Sequence, residues 1–244
     1  MRKASYKNLV IVNASIESNS LVALARSTGK EVWRARKIGA SWNTPVLVDA
    51  PGGATEVVLS VNDAVIGFDP SDGKELWRVG GFGGYVCASV VADKGVVYVV
   101  RTGAKSGGGA LAIKAGGRGD VAGSHVLWRA NGSSLVSSPV YAGGRLYWVD
   151  GVVHCLDAAT GKEAVKPRRL AGAGRPYASP LLADGKLYAM SIRSGGHVVD
   201  AATLQVLSHN TFTDDTSRVN ASPIVNEGHI LLRTDQFLYC IGKK

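Results

Sequence analysis

The sequence predicts an all-β protein built from repeats of four short antiparallel strands. Apolar residues make up 45% of the chain, charged residues 19%, and 31 of the 244 residues are glycine. This composition is typical of a compact, turn-rich β protein. One turn motif recurs, as "RSTGKEVW" at 26–33, "DPSDGKELW" at 69–77 and "DAATGKE" at 157–163. No segment shows a sustained 3.6-residue apolar period, so long helices are not expected.

The spacing of this motif gives the length of the repeat. Gly29 and Gly73 are 44 residues apart, and Gly161 follows after 88, which is twice 44. The missing copy is expected near "AGGRGD" at 115–120, with its tryptophan displaced to Trp128 by an insertion. A further copy, "DAATLQVL", begins at Asp200. A second marker runs in parallel, at Pro45, Val90, Pro139, Pro180 and Pro223. Two markers that drift together indicate a true repeat.

Each repeat is expected to contain four strands, A to D. After Pro180, "SPLLAD" predicts strand A, "GKLYAMS" strand B, "GGHVVDAAT" strand C with its turn, and "LQVLSHN" strand D. The connections are rich in Gly, Asp, Asn and Ser, as hairpin loops are. Such a small sheet has two apolar faces, and radial stacking of the repeats covers both and leaves only short edges. The sequence therefore predicts a β-propeller.

The repeated turn is expected to join neighbouring sheets. Its glycine allows a positive φ, and the aspartates at Asp69, Asp157 and Asp200 can accept hydrogen bonds from the turn backbone. Trp33 and Trp77 lie four residues after the glycine, on strand D. We expect each tryptophan ring to pack against the neighbouring repeat.

Three segments carry a family resemblance: "LVALARSTGKEVW" at 21–33, "VIGFDPSDGKELW" at 65–77 and "VHCLDAATGKE" at 153–163. They resemble the repeat of PQQ-repeat, or quinoprotein-like, β-propellers, and in style the non-enzymatic BamB-like members. The resemblance implies one propeller domain over residues 1–244. About six blades of four antiparallel strands are expected, with the first and last incomplete, so we expect the natural protein to begin upstream of this sequence.

The chain also departs from the family pattern. Ala25 replaces the aspartate of the first turn, and Val165 and Ser208 occupy the tryptophan position of the fourth and fifth repeats. Because these side chains are smaller than tryptophan, weaker joints are expected there.

The resemblance leaves three functions open. Enzymes of the family bind pyrroloquinoline quinone and calcium through Trp, Asp, Glu and Asn, often with two adjacent cysteines. This chain has no adjacent cysteines, and Asp63, Asp150 and Asp235 form no usable ligand set, so no cofactor or metal is expected. His154 and His197 recur as strand C positions of the repeat, which explains them better than catalysis does. A non-enzymatic scaffold or binding module is the main hypothesis. The alternatives are a fragment or relative of a quinone-dependent dehydrogenase, and a hydrolase or lyase that uses the central pocket.

The loops between strand D and the next strand A are the predicted binding surface. Ligands meet propellers at the ends of the axis, where such loops converge, and aromatic and arginine side chains there are typical interface residues. A protein or peptide partner is expected on these loops or along a blade edge. The candidate residues are Trp42, Asn43, Tyr85, Arg175, Tyr177, Arg218 and Asn220.

Charge and targeting signals add little. The net charge is +9, but the densest basic run is Lys166, Arg168 and Arg169, so nucleic acid is not an expected partner. The resemblance implies a periplasmic or otherwise extracytoplasmic protein. No segment approaches the roughly 20 apolar residues of a membrane helix, and no signal peptide is recognisable in this chain. Cys155 and Cys240 lie in strand-like segments and are expected to be buried free thiols.

Overall fold

The computed structural model describes residues 4–102, 109–174 and 176–242. The strands of this part of the chain form six consecutive sheets, and the predicted fold class is confirmed. The first sheet has an opening strand of only two residues, and the last sheet has three strands. The chain divides into two compact units, Met1–Leu135 and Val136–Lys244, each containing three sheets. That residues 1–244 form a single domain stays a prediction.

The first compact unit contains the first three sheets. The first consists of β1 (Ser5–Tyr6), β2 (Leu9–Ala14), β3 (Ser20–Ala25) and β4 (Glu31–Arg36), with the short helix α1 (Ser15–Ser18) between β2 and β3. The second contains β5 (Val46–Asp49), β6 (Thr55–Ser60), β7 (Val65–Phe68) and β8 (Glu75–Val79). The third contains β9 (Val91–Asp93), β10 (Val96–Val100), β11 (Ala110–Lys114) and β13 (Val126–Ala130).

The insertion in the third repeat adds a strand to the second sheet. Strand β12 (Gly119–Asp120) pairs in parallel with β8, so that Gly119 lies opposite Trp77. The backbone N–H of Val121 continues this pairing by donating to the carbonyl of Arg78 at 3.0 Å. The "RGD" segment therefore covers the outer edge of the preceding sheet, which the sequence pattern did not predict.

The second compact unit contains the remaining sheets. The fourth consists of β14 (Val140–Ala142), β15 (Arg145–Val149), β16 (Val152–Asp157) and β17 (Glu163–Arg169). The fifth consists of β18 (Leu181–Ala183), β19 (Lys186–Met190), β20 (Gly196–Asp200) and β21 (Val206–Asn210). The sixth consists of β22 (Ile224–Asn226), β23 (His229–Arg233) and β24 (Leu238–Ile241).

The repeated turn has the same backbone geometry in four of its copies. The residue at the glycine position has a positive φ and donates its N–H to the carbonyl four residues earlier, at 2.7–2.9 Å. Asp157 accepts hydrogen bonds from the N–H and hydroxyl of Thr160 at 2.8 and 2.7 Å, which lower its pKa. In the fifth copy Leu204 adopts φ of +58° and is fully buried. Burial of its side chain offsets the cost of this conformation. The four residues concerned are Gly29, Gly73, Gly161 and Leu204.

The tryptophan of strand D contacts the turn of the next repeat in the first compact unit. Trp33 of the first sheet donates from Nε1 to the carbonyl of Pro70 at 3.1 Å. Its ring lies so close to Gly73 that a Cβ there would overlap it. The turn of the second sheet therefore needs glycine for two reasons, the positive φ and the space that the ring occupies.

Trp77 makes the equivalent joint through a buried carboxylate. Its Nε1 donates to Oε2 of Glu56 at 2.7 Å, and the same oxygen accepts the N–H of Gly116 at 3.2 Å. Oε1 of Glu56 lies 3.4 Å from the guanidinium of Arg118. Trp77 is fully buried and Glu56 is 1% exposed. The carboxylate thus links a tryptophan of the second sheet to the turn region of the third repeat. Trp128, on β13, is 9% exposed and lies 6.2 Å from the ring of Tyr98.

A tyrosine fills the tryptophan's role between the fourth and fifth sheets. Tyr147 on β15 lies opposite Cys155, which in turn lies opposite Val165, so the three side chains form one row across the sheet. The hydroxyl of Tyr147 donates to the carbonyl of Ala201 at 3.1 Å. Ala201 follows the turn aspartate as Pro70 does in the second repeat. Val165 cannot donate a side-chain hydrogen bond to the next repeat, and at this joint the donor is instead Tyr147 on strand B.

Serine and threonine residues beside the second sequence marker form hydrogen bonds between neighbouring sheets. The residue before each marker position uses its N–H or hydroxyl to link neighbouring sheets. Thr44 N donates to Ser89 Oγ at 3.0 Å, Ser138 N to Ser179 Oγ at 2.9 Å, and Ser179 N to Ser222 Oγ at 2.9 Å. These hydrogen bonds connect the segments just before strand A in neighbouring sheets.

The apolar cores lie between neighbouring sheets. One joins the first and second sheets around Leu21 and Phe68, and another joins the second and third around Trp77 and Leu111. A third joins the fourth and fifth sheets and includes Leu187. A smaller cluster around Met190 joins the fifth and sixth.

The cysteine prediction is half right. Cys87, Cys155 and Cys240 are free thiols, and Cys155 is buried, which raises its pKa. Cys240 is exposed, so the prediction that it is buried is wrong. It lies on β24, at the edge of the three-stranded sixth sheet, where no fourth strand covers it within the described residues.

Candidate functional site

An exposed aromatic pair is the most distinct feature of the predicted binding loops. Trp42 lies on the 37–45 loop between β4 and β5, and Tyr85 on the 80–90 loop between β8 and β9. Their ring centroids are 5.7 Å apart with an angle of 46° between the planes. The rings are 54% and 69% exposed. Trp42 N donates to the carbonyl of Val86 at 2.9 Å, so the two loops are also joined through the backbone.

A buried arginine packs against the 80–90 loop. The guanidinium of Arg101 lies 4.3 Å from the centre of the Phe82 ring, and Arg129 lies 5.6 Å from it. Arg101 is 1% exposed and donates to the carbonyls of Val61 and Asn62 at 2.9 and 2.7 Å. Burial lowers its pKa to about 10, so the group remains charged at neutral pH. These contacts hold the loop that presents Tyr85.

Asn43 differs from its exposed neighbour Trp42. Its side chain is 5% exposed and donates to the carbonyls of Ser60 and Ala88 at 2.7 and 3.3 Å. The backbone carbonyl of Asn43 accepts a hydrogen bond from Asn13 Nδ2 at 2.9 Å. Because the side chain connects three elements of the fold, we assign Asn43 a structural role in positioning the loop.

The second compact unit presents the remaining candidates on two loops. Tyr177, on the 170–180 loop between β17 and β18, is 49% exposed. Arg218 and Asn220 are exposed on the 211–223 loop between β21 and β22. Arg175 lies outside the described residues. Of the predicted set, the structure brings Trp42 and Tyr85 into direct contact.

Hydrogen bonds within the 211–223 loop, and one from Tyr239 on β24, hold this loop in place. Ser217 donates to Oδ1 of Asp215 through both its hydroxyl and its N–H, and the Tyr239 hydroxyl donates to Oδ2 at 2.9 Å. The Ser217 hydroxyl is the largest cause of a pKa for Asp215 of about 2. Phe212 stacks on Tyr239 with centroids 4.7 Å apart. These contacts fix the loop, on which Arg218 is exposed.

The acidic residues noted in the sequence make local contacts. Asp150 accepts from Val152 N at 3.3 Å and contacts Nε2 of His154 at 3.2 Å, and the His154 ring stacks on Trp148. Asp235 donates its N–H to the carbonyl of Arg218. Over residues 4–102, 109–174 and 176–242, no three His, Cys, Asp or Glu side chains are placed to hold a metal ion.

The sequence interpretation missed Phe82, Arg101 and the buried hydrogen bonds that Arg101 donates. The available signal was a charged residue directly after the apolar strand "VVYVV" at 96–100, where a buried strand would otherwise continue. A buried charge requires several acceptors, and Arg101 finds them in backbone carbonyls that no sequence pattern marks. Among the described residues, no helix has the length and hydrophobicity of a membrane-spanning segment.

Comparison with protein families gives one match. The family model described as "Outer membrane protein assembly factor BamB" matches residues 17–119 and 120–236. No curated protein sequence matches the chain.

Solved structures of similar fold include natural and designed proteins. BamB from Moraxella catarrhalis has a TM-score of 0.66 and 14% identity, over 95% of this chain and 65% of that one. The computationally designed Ika8 protein has a TM-score of 0.72 and 17% identity, over 98% and 69%. A europium-containing methanol dehydrogenase has a TM-score of 0.60 and 14% identity, over 85% and 50%. At these identities the likeness shows the fold, and the present chain spans 65% of the Moraxella BamB length.

Proposed function

Because the chain belongs to the family described as outer membrane protein assembly factor BamB, we propose that it is a non-enzymatic module that binds a protein or peptide. The partner contacts the loops that connect one sheet to the next, where Trp42, Tyr85, Tyr177 and Arg218 are exposed. A blade edge is the second available surface, since a partner strand can add to it through backbone hydrogen bonds.

The exposed Trp42–Tyr85 pair is the observation that carries this proposal. Two large rings, 54% and 69% exposed, leave much apolar surface in water unless a partner covers it. Tryptophan and tyrosine are enriched among the residues that dominate binding energy at interfaces. The backbone hydrogen bond from Trp42 to Val86 and the packing of Arg101 against Phe82 hold the two loops in place before binding. This preorganisation reduces the entropy cost of association.

The family description supplies the class of partner and the compartment. A factor in outer membrane protein assembly works beside other polypeptides of that process, and we propose the same class of partner for this chain. The proposed location is the periplasm. The basic surface, with a net charge of +9, favours a partner with an acidic surface.

Photo-crosslinking in the native host tests the aromatic pair. We would replace Tyr85 by a photoreactive phenylalanine derivative and look for a protein adduct after irradiation. A discrete adduct is expected, and it should weaken when Trp42→Ala is added. The matched control places the same reagent at Ser27, an exposed residue of the repeated turn in the same compact unit. Equal adducts at both positions, or none at Tyr85, would contradict the proposal.

Alanine substitutions test the loops of the second compact unit. Tyr177→Ala and Arg218→Ala should leave the circular dichroism spectrum and melting temperature unchanged, because both side chains are exposed. Each should reduce partner capture by about tenfold or more if it is an interface hot spot. Unchanged capture with both variants would exclude these loops from the binding surface.

The similarity to a methanol dehydrogenase motivates one alternative, that the chain is related to a quinone-dependent enzyme. The residues do not fit that cofactor site: the sequence has no adjacent cysteines, and no metal-ligand group occurs among the described residues. Adding pyrroloquinoline quinone and Ca²⁺ before gel filtration separates the two ideas. Quinone absorbance that stays with the protein would overturn the binding-module proposal.

A further inference from the structure

Two histidines in the fifth sheet form a stacked pair. His197 on β20 lies opposite His209 on β21, and their ring centroids are 4.1 Å apart with planes 5° from parallel. His197 is 2% exposed, while His209 lies at the surface. Nothing in the binding proposal uses this pair.

The hydrogen bonds define the protonation of both rings. Nε2 of His197 lies 3.1 Å from the carbonyl of Ala171, and Nε2 of His209 lies 2.5 Å from the carbonyl of Ser194. A carbonyl only accepts, so each Nε2 carries a proton and the neutral ring has a bare Nδ1. Nδ1 of His197 is buried without a hydrogen-bond partner. A second proton on His197 would therefore be a buried donor with no acceptor, stacked against another imidazole.

The same pair connects both candidate loops of the second compact unit. His197 holds the 170–180 loop at Ala171, and the Ser194 hydroxyl holds it again at Gly172, at 2.7 Å. His209 in turn fixes Ser194. The turn at 191–195 that contains Ser194 also accepts the N–H of Val219 at the carbonyl of Ile192, at 2.9 Å. One connected network thus runs from the loop of Tyr177 to the loop of Arg218.

None of the charged side chains on the neighbouring elements is bonded to the pair within the described residues. These side chains are Glu163, Lys166, Arg168 and Arg169 on β17, Lys186 on β19, Asp200 on β20, Arg193 in the 191–195 turn, and Asp214, Asp215 and Arg218 on the 211–223 loop. Within the described residues, no hydrogen bond or ion pair joins any of them to either ring. No carboxylate is therefore in place to stabilise an imidazolium at His197.

We infer that the His197–His209 pair is a pH-sensitive clamp, which orders the 170–180 and 211–223 loops at neutral pH and releases them in mild acid. Burial, and then the neighbouring His209, lower the pKa of His197 below its ordinary value of 6.5. A lowered pKa means that the unfolded or open state binds the proton more readily than the closed state. The clamp's stabilisation is thus present above pH 6.5 and is lost as the pH falls through the lowered pKa.

Hydrogen–deuterium exchange on the full chain, without any partner, tests the clamp. Protection would be compared at about pH 7.5 and about pH 5, after correction for intrinsic exchange. Peptides covering the 170–180 and 211–223 loops should be less protected at about pH 5 than at about pH 7.5, because a second proton on His197 Nδ1 has no acceptor. The 37–45 loop contains no histidine and should not change. Equal protection of the two clamped loops at both pH values would overturn the inference.

Substitutions identify the titrating ring. His197→Gln keeps an N–H that can donate to Ala171 but cannot titrate, so the loops should stay protected at both pH values. His229→Gln, at an exposed position on β23, should keep the wild-type response. If His197→Gln does not fold, His209→Gln at the surface position should reduce the response, because it removes the second ring and its bond to Ser194. A full response in His197→Gln, or in His209→Gln if that variant is needed, would refute the clamp.

The role of the clamp in regulation rests on the proposed binding function, but its exchange test does not. A chain that shows the exchange response but captures no partner through Tyr177 or Arg218 would retain the clamp and lose the binding proposal. A chain that binds a partner through those loops but shows no exchange response would retain the binding proposal and lose the clamp.

Discussion

Replacing Trp77 by alanine tests the joint between the second and third sheets. The ring is fully buried in a cluster that includes Leu111 and Ile113 of the third sheet. It also covers Gly67, where a Cβ would overlap it. Its Nε1 supplies a hydrogen bond to the Glu56 carboxylate, which is 1% exposed. The substitution therefore removes packing and leaves a buried acceptor short of a donor.

The expected loss follows from these two terms. Truncating a large buried aromatic side chain costs about 3–5 kcal/mol. Removing one donor from a buried polar group adds about 1–3 kcal/mol. Trp77→Ala should thus lower the free energy of unfolding by about 4–8 kcal/mol, a large share of a typical domain's stability. Trp77→Phe keeps most of the ring and mainly loses the hydrogen bond, so it should cost about 1–3 kcal/mol.

Urea unfolding followed by far-ultraviolet circular dichroism measures both variants. This signal does not depend on tryptophan emission, which the substitutions alter. Trp42→Ala is the matched control, because that tryptophan is 54% exposed and its removal should change stability by less than about 0.5 kcal/mol. A Trp77→Ala protein within about 1 kcal/mol of wild type, or one no less stable than Trp42→Ala, would refute the assigned joint.

Three further predictions concern the second compact unit. Tyr147→Phe removes the donor to Ala201 and should cost about 1 kcal/mol in thermal unfolding, and an unchanged melting temperature would deny the hydroxyl its role in the joint. Ser179→Ala removes the acceptor for Ser138 N and should cost a similar amount, about 1 kcal/mol, by the same measurement. The Thr203 hydroxyl and N–H lower the pKa of Asp200 below 3.8, so its stabilisation is present above that pH and is lost as the pH falls through the lowered value. Asp200→Asn should accordingly make acid unfolding less steep below about pH 4, and an identical acid-unfolding curve would contradict this.

The turn geometry could be predicted because it is local. In "DAATGKE" the aspartate, the threonine and the glycine interact within one short segment, so their spacing alone specifies the hydrogen bonds. Even the departure at Leu204 keeps the same backbone bond to Asp200. A positive φ at a residue other than glycine could not be predicted, because the packing that favours it comes from the neighbouring fourth sheet.

The joints between sheets were predictable only in kind. A tryptophan after the turn indicates a contact with the next repeat, and Trp33 has one. The contact in the fourth repeat comes from Tyr147, which is 18 residues before Val165 in the sequence but in the same row of side chains. Strand register decides that row, and register depends on pairing across the whole sheet.

The candidate site shows the same division. Loop position and residue type predicted Trp42 and Tyr85 as candidates, but their 5.7 Å contact depends on how two loops from successive repeats meet. Asn43 follows Trp42 in the same loop but is buried, because its side-chain amide donates to backbone carbonyls in two other segments. The stacked His197–His209 pair likewise follows from the pairing of β20 with β21.

The sequence by itself determined the all-β class, the repeat length and the chemistry of the turn, since these depend on residues close together in the chain. Tertiary structure alone decided which distant groups meet: Glu56 with Trp77, Tyr147 with Ala201, and Arg101 with the carbonyls of Val61 and Asn62. The physical reason is that buried polar groups must find partners wherever the backbone places them, and the position of that backbone is a property of the packed sheets.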